Sequence, residues 1–114
     1  MENRNTEIKF GVSLDENKLP VALSWEAEDS GTGGKNECKS VMISIWDQKQ
    51  KSTLRIDLWT KDMPLDEMKR FFCETLASMS DTYARATGDK ENADFLREFS
   101  NRFADKTGLN EKSK

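Results

Sequence analysis

The sequence predicts an α+β fold: a small three-stranded sheet in β-β-α-β-α-α order, with helices packed on one face. Three observations predict it. Apolar and polar residues alternate over 6–14, 20–26 and 53–59, the period of strands with one buried face. After Pro64 the period lengthens, and apolar residues recur at helical spacing up to Gly88 and again up to Gly108. The chain has 114 residues, enough for one small domain and not for two. That domain is expected over 6–108, between a flexible start at 1–5 and a flexible tail at 109–114.

The first strand, 6–14, carries Ile8, Phe10, Val12 and Leu14 on one side and Lys9, Gly11 and Ser13 on the other. Asp15-Glu16-Asn17-Lys18 is rich in turn formers. Pro20 opens a second run in which Val21, Leu23 and Trp25 alternate with Ala22, Ser24 and Glu26, so the pair reads as a hairpin. Residues 26–36, EAEDSGTGGKN, form an acidic and then glycine-rich stretch that reads as a mobile loop. A helix is expected next, capped by Asn36, with Cys38, Val41, Met42, Ile45 and Trp46 as its stripe. Val41 to Ile45 is rich in residues that favour strands, which pulls against that assignment. The third strand, 53–59, follows a polar link. A long helix then runs over 64–87. Proline suits its first turn, Asp66 and Glu67 face the positive end of its dipole, and Gly88 stops it. Asp89 caps the last helix, whose stripe is Ala93, Leu96, Phe99 and Phe103 with Phe95 at its edge.

Composition excludes several functions. Charged residues make up 34% of the chain and the net charge is −3, with bases scattered among acids. A general nucleic-acid binder needs a basic stripe that is missing here. The start, MENRNTEIKF, has no signal-peptide apolar run, and no segment approaches the roughly 20 apolar residues that span a bilayer. A cytoplasmic, non-membrane-spanning protein is therefore expected. Histidine is absent, which removes the usual general base and the commonest transition-metal ligand. Cys38 and Cys73 read as buried free thiols.

The candidate motifs have ordinary structural explanations. Asp57, Asp62, Asp66 and Glu67 are close in sequence, as cation ligands or an acid–base pair would be. Asp57 nevertheless has Arg55 and Lys9 for ion pairing, and the other three suit a helix start. Gly31-Thr32-Gly33-Gly34-Lys35-Asn36 precedes the expected helix as a phosphate loop would. It has Asp29 where the first glycine belongs and Asn36 where Ser or Thr belongs. No catalytic, metal or cofactor set results, and the chain is expected to be non-enzymatic and to need no cofactor.

Interaction surfaces are the better candidates. Trp25 and Trp46 fall on apolar faces and are expected in the core. Trp59 alternates with Arg55 and Asp57, so it either stands on the polar side of the sheet or folds over the corner against Met63. An exposed Trp beside Arg is a frequent hot-spot pairing. The strand-to-helix corner, Arg55, Asp57, Trp59, Lys61 and Asp62, is thus the candidate contact surface. A second reading is a small-molecule or peptide-binding regulatory domain, with a pocket between sheet and helices lined by Trp25, Trp46, Phe72 and Tyr83. A free sheet edge, or the wide aromatic arc of the last helix, could also support a homodimer.

Four stretches together resemble the gliding motility-associated GldC family: EIKFGVSLDENKLP (7–20), LSWEAEDSG (23–31), ISIWDQKQKSTLRIDLWTKDMPLDEMKRFF (43–72) and SDTYARATGD (80–89). The likeness runs over about 6–108, and the third stretch is long and compositionally unusual. The resemblance implies an accessory cytoplasmic protein, coded alongside a lipoprotein component. Such a protein supports the gliding machinery through protein partners without being its motor. It implies no catalytic residue, so none is carried onto this sequence.

Overall fold

The α+β class is borne out by five strands and two helices. The computed structural model describes residues 3–28 and 34–109. Residues 29–33 of the acidic and glycine-rich stretch and residues 110–114 of the tail lie outside that range, as do the first two residues. The chain divides into two compact units, Met1–Met63 and Pro64–Lys114.

The first unit holds all the strands. β1 (Ile8–Leu14) and β2 (Pro20–Ala27) form the expected antiparallel hairpin, and β3 (Asn36–Cys38) adds to β2, giving a sheet of order β1-β2-β3. The hairpin turn is built by Asp15. Its carboxylate accepts the backbone N–H groups of Asn17 at 2.8 Å and Leu19 at 3.0 Å, while Lys18 takes a left-handed conformation at φ 64°. Pairing sets Ile8 opposite Ala27, Phe10 opposite Trp25 and Val12 opposite Leu23, so one face of this sheet is apolar. Leu23, 3% exposed, is its buried anchor. The opposite face carries Lys9 across from Glu26 and Gly11 across from Ser24. A side chain on Gly11 would crowd the Ser24 hydroxyl, which would lie 2.6 Å from its Cβ.

The expected helix over 36–46 does not form. The segment is β3, a break at Lys39, and then β4 (Ser40–Asp47). β4 pairs with β5 (Ser52–Trp59), so the third predicted strand joins this segment and not the hairpin. The reason is period. Val41, Met42, Ile45 and Trp46 match a helical stripe with Cys38 only because 41–46 is nearly all apolar. Val41, Ile43 and Ile45 are β-branched and alternate, and each lies opposite an apolar residue of β5: Leu58, Ile56 and Leu54. Asp47 closes the ladder's turn, its carboxylate accepting the Gln50 N–H at 2.6 Å and its carbonyl the Lys51 N–H at 2.8 Å. At the other end the Thr60 N–H donates to the Lys39 carbonyl at 2.9 Å.

The second unit is a pair of helices, α1 (Leu65–Thr87) and α2 (Lys90–Thr107), with termini where the sequence puts them. Pro64 stands at the N-cap of α1, and Gly88 at φ 73° returns its N–H to the Ala84 carbonyl at 2.9 Å. Asp89 caps α2 by accepting the Asn92 N–H at 3.1 Å, and it also accepts the Tyr83 hydroxyl at 2.9 Å. One carboxylate therefore joins the end of α1 to the start of α2. These contacts hold Asp89 below its ordinary carboxylate pKa, with the Asn92 side chain and then its N–H as the largest causes. The buried residues of this unit are small: Ser80, Ala93 and Ser100. Small side chains let the two helices approach closely. Arg97 pairs with Asp81 across them, and the Cys73 thiol lies 4.0 Å from the Thr107 hydroxyl.

Replacing Leu23 with Ala should destabilise the strand unit by about 3 kcal/mol, the usual cost of a cavity at a fully enclosed leucine. Urea unfolding checks this. A loss below about 1 kcal/mol would mean that the surroundings collapse onto the smaller side chain.

Candidate interaction surface

The β4–β5 ladder has two faces of different chemistry. Val41, Ile43 and Ile45 with Leu58, Ile56 and Leu54 make one face, all aliphatic. The other holds Ser40 opposite Trp59, Met42 opposite Asp57, Ser44 opposite Arg55 and Trp46 opposite Thr53. Side chains alternate along each strand, so the register alone puts both tryptophans on one side with Met42, Arg55 and Asp57.

Three of the five predicted contact residues are brought together there. Trp59 is 56% exposed. Arg55 Nη2 lies 2.6 Å from Asp57 Oδ1, two residues along the same strand, as the alternation predicts. Exposed as it is, the pair contributes little to stability. Trp59 also borders a recess of about 380 Å³ lined by Leu19, Pro20, Asp57, Leu58 and Lys61.

Lys61 and Asp62 lie past the strand end and serve a different purpose. Lys61 Nζ reaches Asp15 Oδ2 at 2.8 Å, and Lys39 Nζ reaches Asp62 Oδ2 at 3.0 Å. The first contact ties the corner after β5 to the β1–β2 turn, and the second ties it to the break between β3 and β4. Asp15 is held below its ordinary pKa of 3.8, first by the Lys61 hydrogen bond and then by the Leu19 N–H. Asp62 is lowered too, by the neighbouring Thr60 hydroxyl and then by Lys39. That hydroxyl is buried and has no well-formed hydrogen bond among the described residues. Thr60 also borders a recess of about 360 Å³ that includes Leu23, Cys38 and Lys39. Burial raises the Cys38 thiol pKa, which leaves it protonated and poorly nucleophilic. Both cysteines are free and half-buried.

Sequence reasoning missed Trp46. Expected in the core, it is 67% exposed. The error follows from the helix assigned to 36–46, because on a strand Trp46 alternates with Ile45 and shares a side with Met42 and Ser44. The alternation of Val41, Ile43 and Ile45 was the signal that would have found it. The residues proposed to line a pocket divide between the units: Trp25 and Trp46 belong to the strands, Phe72 and Tyr83 to the helices. Tyr83 is engaged by Asp89.

Among the described residues no helix is long and apolar enough to cross a membrane. A family model described as gliding motility-associated protein GldC-like covers residues 20–109. That span includes β2 to α2 and leaves β1 ahead of it. No curated protein and no solved structure matches the chain.

Lys61→Ala should move the titration of Asp15 up toward 3.8, followed through its carboxyl carbon by NMR. A carboxylate depressed in the folded state stabilises it above the unfolded pKa, and the benefit is lost as pH falls through the lower folded value. The variant should therefore lose the contribution of this tie across the whole range above pH 3.8 and be less sensitive to acid below it. An unmoved midpoint would assign the depression to the Asn17 and Leu19 amides instead.

Proposed function

This chain belongs to the GldC-like family of gliding motility-associated proteins, and from that premise we propose that it is a non-enzymatic accessory protein. It supports the assembly or stability of the gliding machinery by binding a protein partner on the cytoplasmic side. The observation that carries this reading is the tryptophan-bearing face of the β4–β5 ladder. Trp46 and Trp59, both more than half exposed, stand on that face at opposite ends of the ladder with Met42, Arg55 and Asp57 between them.

The chemistry of the face suits a protein contact. Tryptophan, methionine and arginine are the residues enriched at interface centres. Two indole rings offer large apolar area, and their N–H groups can find acceptors on a partner. Arg55 is already oriented by Asp57, so little side-chain freedom is lost when a partner docks. Lys61 and Asp62 hold the corner in place and flank the contact without forming its centre. The non-enzymatic reading rests on the absence of histidine from the sequence and on the structural employment of the corner's acids.

The test is partner capture from gliding cells, with the wild-type chain and with Trp46→Ala, Trp59→Ala and the double variant. Each single replacement should weaken capture of a gliding-machinery component by about tenfold or more, the scale of a hot-spot tryptophan. Circular dichroism should be unchanged, and gliding should be impaired in cells carrying the double variant. Undiminished capture and normal gliding by the folded double variant would refute the assignment.

A further inference from the structure

We propose that β1 is a dimerisation edge, through which two copies of this chain join their sheets by antiparallel β1–β1 pairing. The surface is separate from the tryptophan face and does not depend on its role.

The sheet order β1-β2-β3 leaves β1 at the edge, paired with β2 on one side only. The Glu28 N–H donates to the Glu7 carbonyl. Hydrogen-bonded pairs alternate along an antiparallel ladder, so the odd-numbered residues of β1 turn their backbone groups toward β2. The N–H and C=O groups of Ile8, Phe10 and Val12 therefore point off the open edge. All seven residues of β1 are exposed, and Ile8, Phe10, Val12 and Leu14 are between 43 and 65% exposed. Natural edges are blunted by proline, by several charges or by shortness. β1 has seven residues, no proline and one charge, Lys9; its register shift comes only at Ser13/Leu14.

A second copy fits this edge better than an arbitrary strand because β1 complements itself. Ile8–Leu14 is centred on Gly11, so a two-fold axis there gives full overlap. Phe10 then lies opposite Val12 of the partner subunit as a hydrogen-bonded pair. This uses the outward-pointing groups of both strands. Lys9 lies opposite Ser13 of the partner subunit, so no like charges meet within the ladder. Gly11 meets Gly11 of the partner subunit at the closely spaced, non-hydrogen-bonded position, where a missing side chain permits close approach. The apolar faces of the two sheets become continuous, and the contact is isologous, so it closes at two copies. One strand per copy is a small contact, which predicts a micromolar dimer.

Sedimentation of the full chain, from roughly 5 to 500 μM to bracket a micromolar Kd, should show the 13.1 kDa species converting to one of twice that mass. Val12→Pro removes an N–H that points off the edge and no bond of the β1–β2 ladder. The variant should remain monomeric throughout with unchanged circular dichroism. A wild type that stays at 13.1 kDa overturns the proposal, as does a folded Val12→Pro variant that still dimerises. Cysteine pairing tests the register even if that variant fails to fold. Lys9→Cys mixed with Ser13→Cys should cross-link on oxidation, while Lys9→Cys alone should not. Cross-linking by Lys9→Cys alone, or none in the mixture, rejects this register.

Discussion

The register of the β4–β5 ladder is the constraint on which the rest of this protein's surface depends. Eight consecutive pairs run from Ser40 opposite Trp59 to Asp47 opposite Ser52. A slip of one strand by one residue would carry its aliphatic residues to the tryptophan side and its tryptophan to the aliphatic side. The sequence guards against it at both ends. Asp47 fixes the turn through its side chain and its carbonyl, with Lys51 at φ 53° accepting the left-handed geometry the turn needs. The Thr60–Lys39 bond extends the ladder at its far end, where Lys39–Asp62 and Lys61–Asp15 hold the corner. Each ion pair is weak by itself because it is solvated. Their value is geometric: they join three separate turns around the end of β5.

Burial within each unit is sparse. Among the described residues Leu23 and Ala93 are the buried apolar ones, and the helices meet through Ser80, Ala93 and Ser100. Large apolar side chains are left at the surface on β1, on the ladder and on α2, where Phe95 is 71% exposed. Phe95 and Phe99 border a groove of about 440 Å³ with Arg102 and Lys106 at its rim. Surfaces of this kind on a small protein mark contacts with other molecules. A family described as gliding motility-associated fits that economy of core and abundance of surface.

Much of this was legible in the sequence where local chemistry decides the structure. Proline, acids and glycine placed both helices to within a residue or two, because caps act over a single turn. The β1–β2 hairpin was legible for the same reason: strict alternation on either side of a short polar turn begun by Asp15 admits one pairing. The segment 36–46 was not, because the almost wholly apolar run at 41–46 satisfies periods of 2 and 3.6 alike. What decided it was the partner strand, whose Leu54, Ile56 and Leu58 match Ile45, Ile43 and Val41 one for one. The candidate surface inherited that error. Arg55, Asp57 and Trp59 were placed correctly relative to one another by parity along one strand, while Trp46, on the neighbouring strand, was assigned to a core it does not join.

The most direct test of the central claim is site-specific photo-cross-linking in gliding cells, with the reactive group at Ser44 and, separately, at Ile43. The two positions are adjacent in sequence and lie on opposite faces of the ladder. Adducts from Ser44 to a component of the gliding machinery, with none from Ile43, are the predicted result. Adducts from Ile43 and not from Ser44 would place the contact on the aliphatic face and contradict the account.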